Sequence, residues 1–153
     1  MKITASILKE KEACVEGIAW FTLHFPDGGE LQAVYDAVGA HKHTWQSWLA
    51  EVFKMSCAVS AWHTNGQLGY HENYHAGKRE GVREWWDANG QLEYRENYHA
   101  GELEGVSERW HTNGQLEYSE NYQAGKLEGV SECWYFDGTL RRREYYRAGK
   151  REK

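Results

Sequence analysis

The sequence predicts an α+β fold: a small helical N-terminal region followed by an elongated antiparallel β-meander of about four 24-residue hairpin repeats. Three observations predict it. Trp62, Trp86, Trp110 and Trp134 recur at a fixed interval, and so do Gly66, Gly90, Gly114 and Gly138, and Leu68, Leu92, Leu116 and Leu140. A fixed period in this range marks an array whose units stack only on their neighbours. Each period also holds an Asn-Gly or Asp-Gly pair, ending at those same glycines, and both residues accept the left-handed angles of a tight hairpin turn. Finally, the period stops near Ser56. Before that point apolar residues follow helical spacing instead. The domain reading is therefore 1–56, helical, and 57–153, a sheet of hairpin repeats.

Taken in order, Glu12 to Phe25 carries Ala13, Val15, Ile18, Ala19, Phe21, Leu23 and Phe25, a helix passing into an extended end. Pro26-Asp27-Gly28-Gly29 is a turn signal. From Gly29 to Val38, the residues Leu31, Val34, Tyr35 and Val38 fall on one helix face, and Gly39 is a natural stop. Thr44 is placed to N-cap a last helix, Trp45 to Met55, with Trp45, Trp48, Leu49, Val52 and Phe53 on one face.

In the array, a second turn recurs at Ala76-Gly77, Ala100-Gly101, Ala124-Gly125 and Ala148-Gly149, and a connector glycine follows at Gly81, Gly105 and Gly129. A two-residue loop at Asn89-Gly90 would turn the apolar sets of its two strands to opposite faces. A three-residue loop, Ala88-Asn89-Gly90, pairs Trp86 with Leu92 and Glu84 with Tyr94, and it needs a type I turn with a glycine bulge. That register is adopted. It puts Val82, Trp86, Leu92, Tyr94 and Tyr98 on one face, together with Glu84, Glu108 and Glu132 from one strand set and Glu72, Glu96, Glu120 and Glu144 from the other.

Such an acidic, aromatic face reads in two ways. It could be a groove for a partner's cationic or amide-rich surface, since tyrosine and tryptophan bring contact area at low entropic cost. It could equally be a ladder in which each glutamate accepts from a neighbouring tyrosine. Repetition in every unit favours the ladder, because structural positions recur while partner-reading positions vary.

The chain has 153 residues and a formal charge of −5. Within the array 16 acidic residues oppose 13 basic ones. Direct nucleic-acid binding and anionic membranes are not expected, because both require basic surfaces. Cys14, Cys57 and Cys133 are widely spaced and form no CxxC, which reads as reduced thiols in a cytoplasmic protein. No segment is apolar enough to span a membrane.

The run Tyr98-His-Ala-Gly101-Glu-Leu-Glu-Gly105-Val-Ser-Glu-Arg-Trp110-His-Thr-Asn-Gly114-Gln-Leu116 resembles the MORN repeat in its bacterial variant, and the resemblance extends over 57–153. It implies an elongated sheet of successive hairpins and, from some bacterial members, an antitoxin-like role. Ala13-Cys14-Val15-Glu16-Gly17-Ile18-Ala19-Trp20-Phe21, with Trp45-Gln-Ser-Trp48-Leu49-Ala50, resembles a leader of small phage and prophage proteins. That implies a host-directed inhibitor, such as an anti-CRISPR or other anti-defence protein.

No phosphate loop, dinucleotide fingerprint or nucleophile elbow occurs, and no histidine can be placed beside Cys14. His41 and His43 have local metal-ligand spacing without a partner, and the repeated histidines are replaced by Asp87 or Tyr135 at one position and by Gln123 or Arg147 at the other. No enzyme activity, cofactor or metal is expected. The expectation is a protein-binding module that blocks a bacterial host or toxin protein, with Trp45, Trp48, Glu72, Tyr94, Glu96 and Glu120 as partner-binding residues. The alternative is a structural scaffold that self-associates through its open sheet edge.

Overall fold

A computed structural model describes residues 1–39 and 43–152, without the side chains of residues 39 and 43. The helical region comprises β1 (Lys2–Ile3), α1 (Ala5–Glu10), α2 (Val15–His24), β2 (Gly29–Glu30), α3 (Leu31–Gly39) and α4 (His43–Val52). Thr4 caps α1 by accepting from the Ile7 amide at 3.3 Å. Cys14 caps α2, its Sγ accepting from the Gly17 amide at 3.4 Å. Thr44 lies inside α4, so its expected N-cap role is not realised. The pair β1–β2 and helix α1 had no counterpart in the sequence reading, because two-residue strands and a six-residue helix are too short to establish a period.

From Cys57 the chain is strand and turn. Long strands β3 (Cys57–Trp62), β4 (Leu68–His75), β6 (Gly81–Trp86), β7 (Leu92–His99), β9 (Gly105–Trp110), β10 (Leu116–Gln123), β11 (Lys126–Trp134) and β12 (Leu140–Arg147) form antiparallel hairpins. The short strands β5 (Lys78–Arg79), β8 (Glu102–Leu103) and β13 (Lys150–Arg151) pair with the ends of β4, β7 and β12. Neighbours in the sheet follow chain order from β3 to β13, as expected of a meander.

The hairpin loop is the predicted one. The Gly90 amide donates to the Asp87 carbonyl at 3.0 Å and the Asp87 amide to the Gln91 carbonyl at 2.9 Å, with Gly90 at φ 82°. This is a type I turn closed by a left-handed glycine. Trp86 lies opposite Leu92, but Trp85 lies opposite Tyr94 and Glu84 opposite Arg95. Glu93 is therefore an extra residue, a bulge that shifts every later pair by one. The same shift recurs at Gly69, Glu117 and Arg141.

The bulge corrects the face assignment. Arg83, Trp85, Tyr94, Glu96 and Tyr98 share one face, and Glu84 and Val82 lie on the other. Glu84, Glu108 and Glu132 thus leave the aromatic ladder, and Glu84 and Glu132 instead meet Arg95 and Arg143.

One core joins the helices to the first hairpin. Ile3, Leu8, Phe21, Val34, Tyr35, Val38, Leu49 and Ala50 bury against Val59, Tyr70 and Tyr74. Each large apolar side chain so buried contributes about 1.5–3 kcal/mol. The Tyr35 hydroxyl donates to the Ala58 carbonyl at 2.6 Å, and Gln46 Nε2 to the Tyr35 carbonyl at 3.2 Å, so helix and strand are tied by polar bonds as well.

Successive units are stitched by repeated bonds. His63 Nε2 donates to the Trp86 carbonyl at 2.8 Å, and His111 Nε2 to the Trp134 carbonyl at 3.2 Å. The Ala100, Ala124 and Ala148 amides donate to Glu80, Glu104 and Glu128 at 2.8, 2.8 and 2.6 Å. The repeated histidines and these glutamates serve as joints between units.

Candidate functional site

The recurring glutamates of the inner face form a graded ladder. Glu72 is 1 % exposed. It accepts from Ser47 Oγ at 2.6 Å, Tyr74 OH at 2.9 Å and Arg79 Nε at 3.0 Å, and Arg83 Nε stands 3.3 Å away. Burial by itself pushes its carboxyl up, but the bonds from Ser47, Tyr70, Arg79 and Tyr74 outweigh it and hold the group below its ordinary value. The same burial, with the Glu72 charge, drives the Tyr70 and Tyr74 hydroxyls well above the usual tyrosine range.

One unit on, Glu96 accepts from Tyr94 at 3.1 Å, Tyr98 at 3.0 Å and Arg83 at 3.3 Å. Glu120 accepts from Tyr122 at 2.8 Å and Ser131 at 3.4 Å. Glu144 accepts from Tyr146 at 3.0 Å and Arg151 at 2.8 Å. These geometries describe a hydrogen-bonded spine.

The candidate binding residues on the sheet separate accordingly. Glu72 and Glu96 are buried and fully engaged within the chain. Glu120 is half-buried in the spine, and Tyr94 is half-buried on the wall of a groove of about 490 Å³ shared with Trp85, Arg109, Trp110 and Phe136. Trp85 does not share the tryptophan period, so no repeat spacing singles it out. It sits between Tyr70 at 5.1 Å and Tyr94 at 5.2 Å, with the Arg83 guanidinium 3.9 Å above its ring. Trp62, which opens the period, is 62 % exposed and adds nothing to the core.

Trp45 and Trp48 come together on α4. They wall a cavity of about 290 Å³ lined chiefly by apolar side chains from all four helices, among them Leu8, Trp20, Phe21, Val34 and Leu49. Trp20 packs edge-on to Trp45 at 6.0 Å, and Trp48 edge-on to Phe53 at 6.3 Å. Gly17 lines the cavity too, and a Cβ there would stand tightly at 3.3 Å from Cys14 Sγ and in ordinary contact at 3.7 Å with the Trp45 ring. Glu12 lines the same cavity and holds a left-handed φ of 60°. It occupies the site normally given to glycine at a helix end, with the Ala13 amide closing back on the Leu8 carbonyl at 2.9 Å. The two tryptophans are thus walls of a cavity.

Among the described residues no three His, Cys, Asp or Glu side chains converge as metal ligands. His41 and the side chain of His43 lie outside those residues. Cys14, Cys57 and Cys133 are free thiols. No described helix is long and apolar enough to cross a membrane.

Residues 1–55 match the YdhT N-terminal domain, and residues 79–100 and 103–124 match the MORN repeat variant. No curated protein matches the chain. The matched segments span the hairpins β6–β7 and β9–β10, so these two hairpins are similar to MORN-type repeats and the helical head is similar to a YdhT N-terminal domain.

Proposed function

We propose that the chain is a non-enzymatic protein-binding module, in which about four repeat units form a rigid support and the helical head receives an apolar side chain of a protein partner. The cavity bounded by Trp45 and Trp48 carries this reading: its volume of about 290 Å³ and its apolar lining suit an inserted aromatic or branched side chain. Glu72 and Glu96 act behind that surface by fixing α4 to the sheet and unit to unit. A cytoplasmic site of action is the reading supported by the three free thiols. Its narrower form is inhibition, the head covering a working surface of a bacterial host or toxin protein as an antitoxin or a phage-encoded inhibitor would.

The test is quantitative co-purification from bacterial lysate with the wild-type chain and Trp45→Ala side by side. One stoichiometric protein retained by the first and lost by the second, with unchanged sheet circular dichroism, is the expected result. Equal retention by both would sink the cavity as the binding element. The inhibitory form then requires that adding the chain lower the activity of the captured protein.

A further inference from the structure

Strands β12 and β13 carry an unusual charge. Residues 141–152 contain Arg141, Arg142, Arg143, Arg147, Lys150 and Arg151 against Glu144 and Glu152, in a chain whose total is −5. Among the described residues, the outer edge of β12 is covered only at its end. There β13 pairs with Tyr146 and Arg147, and the Glu152 amide reaches the Tyr145 carbonyl at 2.7 Å. Among the described residues the edge from Leu140 to Glu144 has no neighbouring strand.

The earlier junctions define what that edge accepts. Where β6 enters beside β4, Glu84 lies opposite His71; where β9 enters beside β7, Glu108 lies opposite Arg95; where β11 enters beside β10, Glu132 lies opposite Ser119. A glutamate enters at the same place each time, and Arg143 is the next position in that series. Arg95 has a glutamate on each side, Glu84 in its own hairpin and Glu108 across the junction. Arg143 has Glu132 in its own hairpin and an open edge on the other side.

From this geometry we infer that the β12 edge receives an extended acidic segment of a protein partner, added antiparallel as a further strand with a glutamate or aspartate opposite Arg143. Main-chain bonds supply the pairing and the arginines select the charge. A second copy of the chain suits the edge poorly, since two β12 strands laid antiparallel bring Arg141, Arg142 and Arg143 of both copies together, and like charges directly opposite destabilise a pair. The site stands apart from the tryptophan-lined cavity and does not depend on it.

A fluorescent, strand-forming Thr-Glu peptide tests the inference on the full chain by anisotropy, with amide chemical shifts to locate it. Saturable binding is expected, with shifts centred on Leu140–Glu144. A version with proline at alternate positions, which cannot donate to a strand edge, is expected to bind at least about tenfold more weakly. The double variant Arg142→Gln/Arg143→Gln should weaken binding by a similar factor, and Trp45→Ala should leave it unchanged. A Thr-Lys peptide should bind Arg143→Glu better than it binds the wild type. No saturable binding, equal binding of the proline peptide, or preference for a single-stranded oligonucleotide over the acidic peptide would overturn the inference. So would a concentration-dependent dimer that blocks the edge.

Discussion

Glu72 and Glu144 hold corresponding places in the first and last hairpins, each with a tyrosine two residues on, yet they live in different surroundings. Glu72 is sealed by Ser47 from α4 and by Arg79 and Arg83 from the chain that follows it. Glu144 has Arg142 and Arg151 about it, both more than half exposed, and among the described residues its bonding partners all come from the sheet. The repeat dictates the local bond, carboxylate to tyrosine. The layer placed over the repeat dictates how much that bond is worth, because charge interactions strengthen as water is excluded. The sheet is thus one motif read at a falling degree of cover, from Tyr74 at 4 % exposure to the open edge at β12.

The sharpest way to break this comparison is to remove the carboxylate at both ends. Glu72→Ala leaves two arginines, a serine and two tyrosines facing an empty buried site, and it should lower unfolding free energy by about 3–5 kcal/mol. Glu144→Ala should shift the urea midpoint only slightly. Equal losses would show that cover is irrelevant. Trp85→Ala, at the boundary of the covered zone, removes the ring held between Tyr70 and Tyr94 and should cost about 3 kcal/mol by the same measurement.

Acid sharpens the contrast further. Because Glu72 titrates lower in the folded chain than its ordinary value of 4.5, its contribution is complete above that pH and is lost as pH falls through the lower folded value. The stability of Glu72→Gln should therefore fall less steeply than that of the wild type below about pH 4.5. Native-state hydrogen exchange should show the same gradient, with β4 amides protected at least about tenfold more than those of β12. The smallest effect is expected at the Ala-Gly turns. Ala124 holds a φ of 47°, and Ala124→Asn, better suited to that region, should raise stability by no more than about 1 kcal/mol.

The sequence made the hairpins, their order and the three-residue loop legible, because Asn-Gly pairs and connector glycines report directly on left-handed backbone. The face did not follow. A bulge at Glu93 looks like ordinary alternation, since a polar residue between Leu92 and Tyr94 fits an unbroken strand equally well. One inserted residue then reverses every side chain beyond it. The tryptophan period misled for a related reason: it marks turns, whereas the packed ring is Trp85, one residue before the mark. Trp45 and Trp48 were legible as a pair on one helix face. That they enclose space with Trp20 and Phe21 depends on how α2 meets α4, which no local spacing encodes.

The bonds that join one unit to the next carry a last consequence. Asn65 reaches the Ala88 carbonyl as Asn113 reaches that of Phe136, and Glu80 holds Ala100 as Glu104 holds Ala124. Each kind of joint recurs over its own fixed stretch of chain, 23 residues for the asparagines and 20 for the glutamates. Excising residues 104–127 would bring Leu103 onto Glu128 and restore the run Glu-Gly-Val-Ser-Glu that it had lost, while keeping Arg83 and Trp85 beside the head. The array is in this sense a ruler with interchangeable graduations: whole divisions can be added or taken away, changing the distance between the helical head and the arginine edge while leaving both ends as they are.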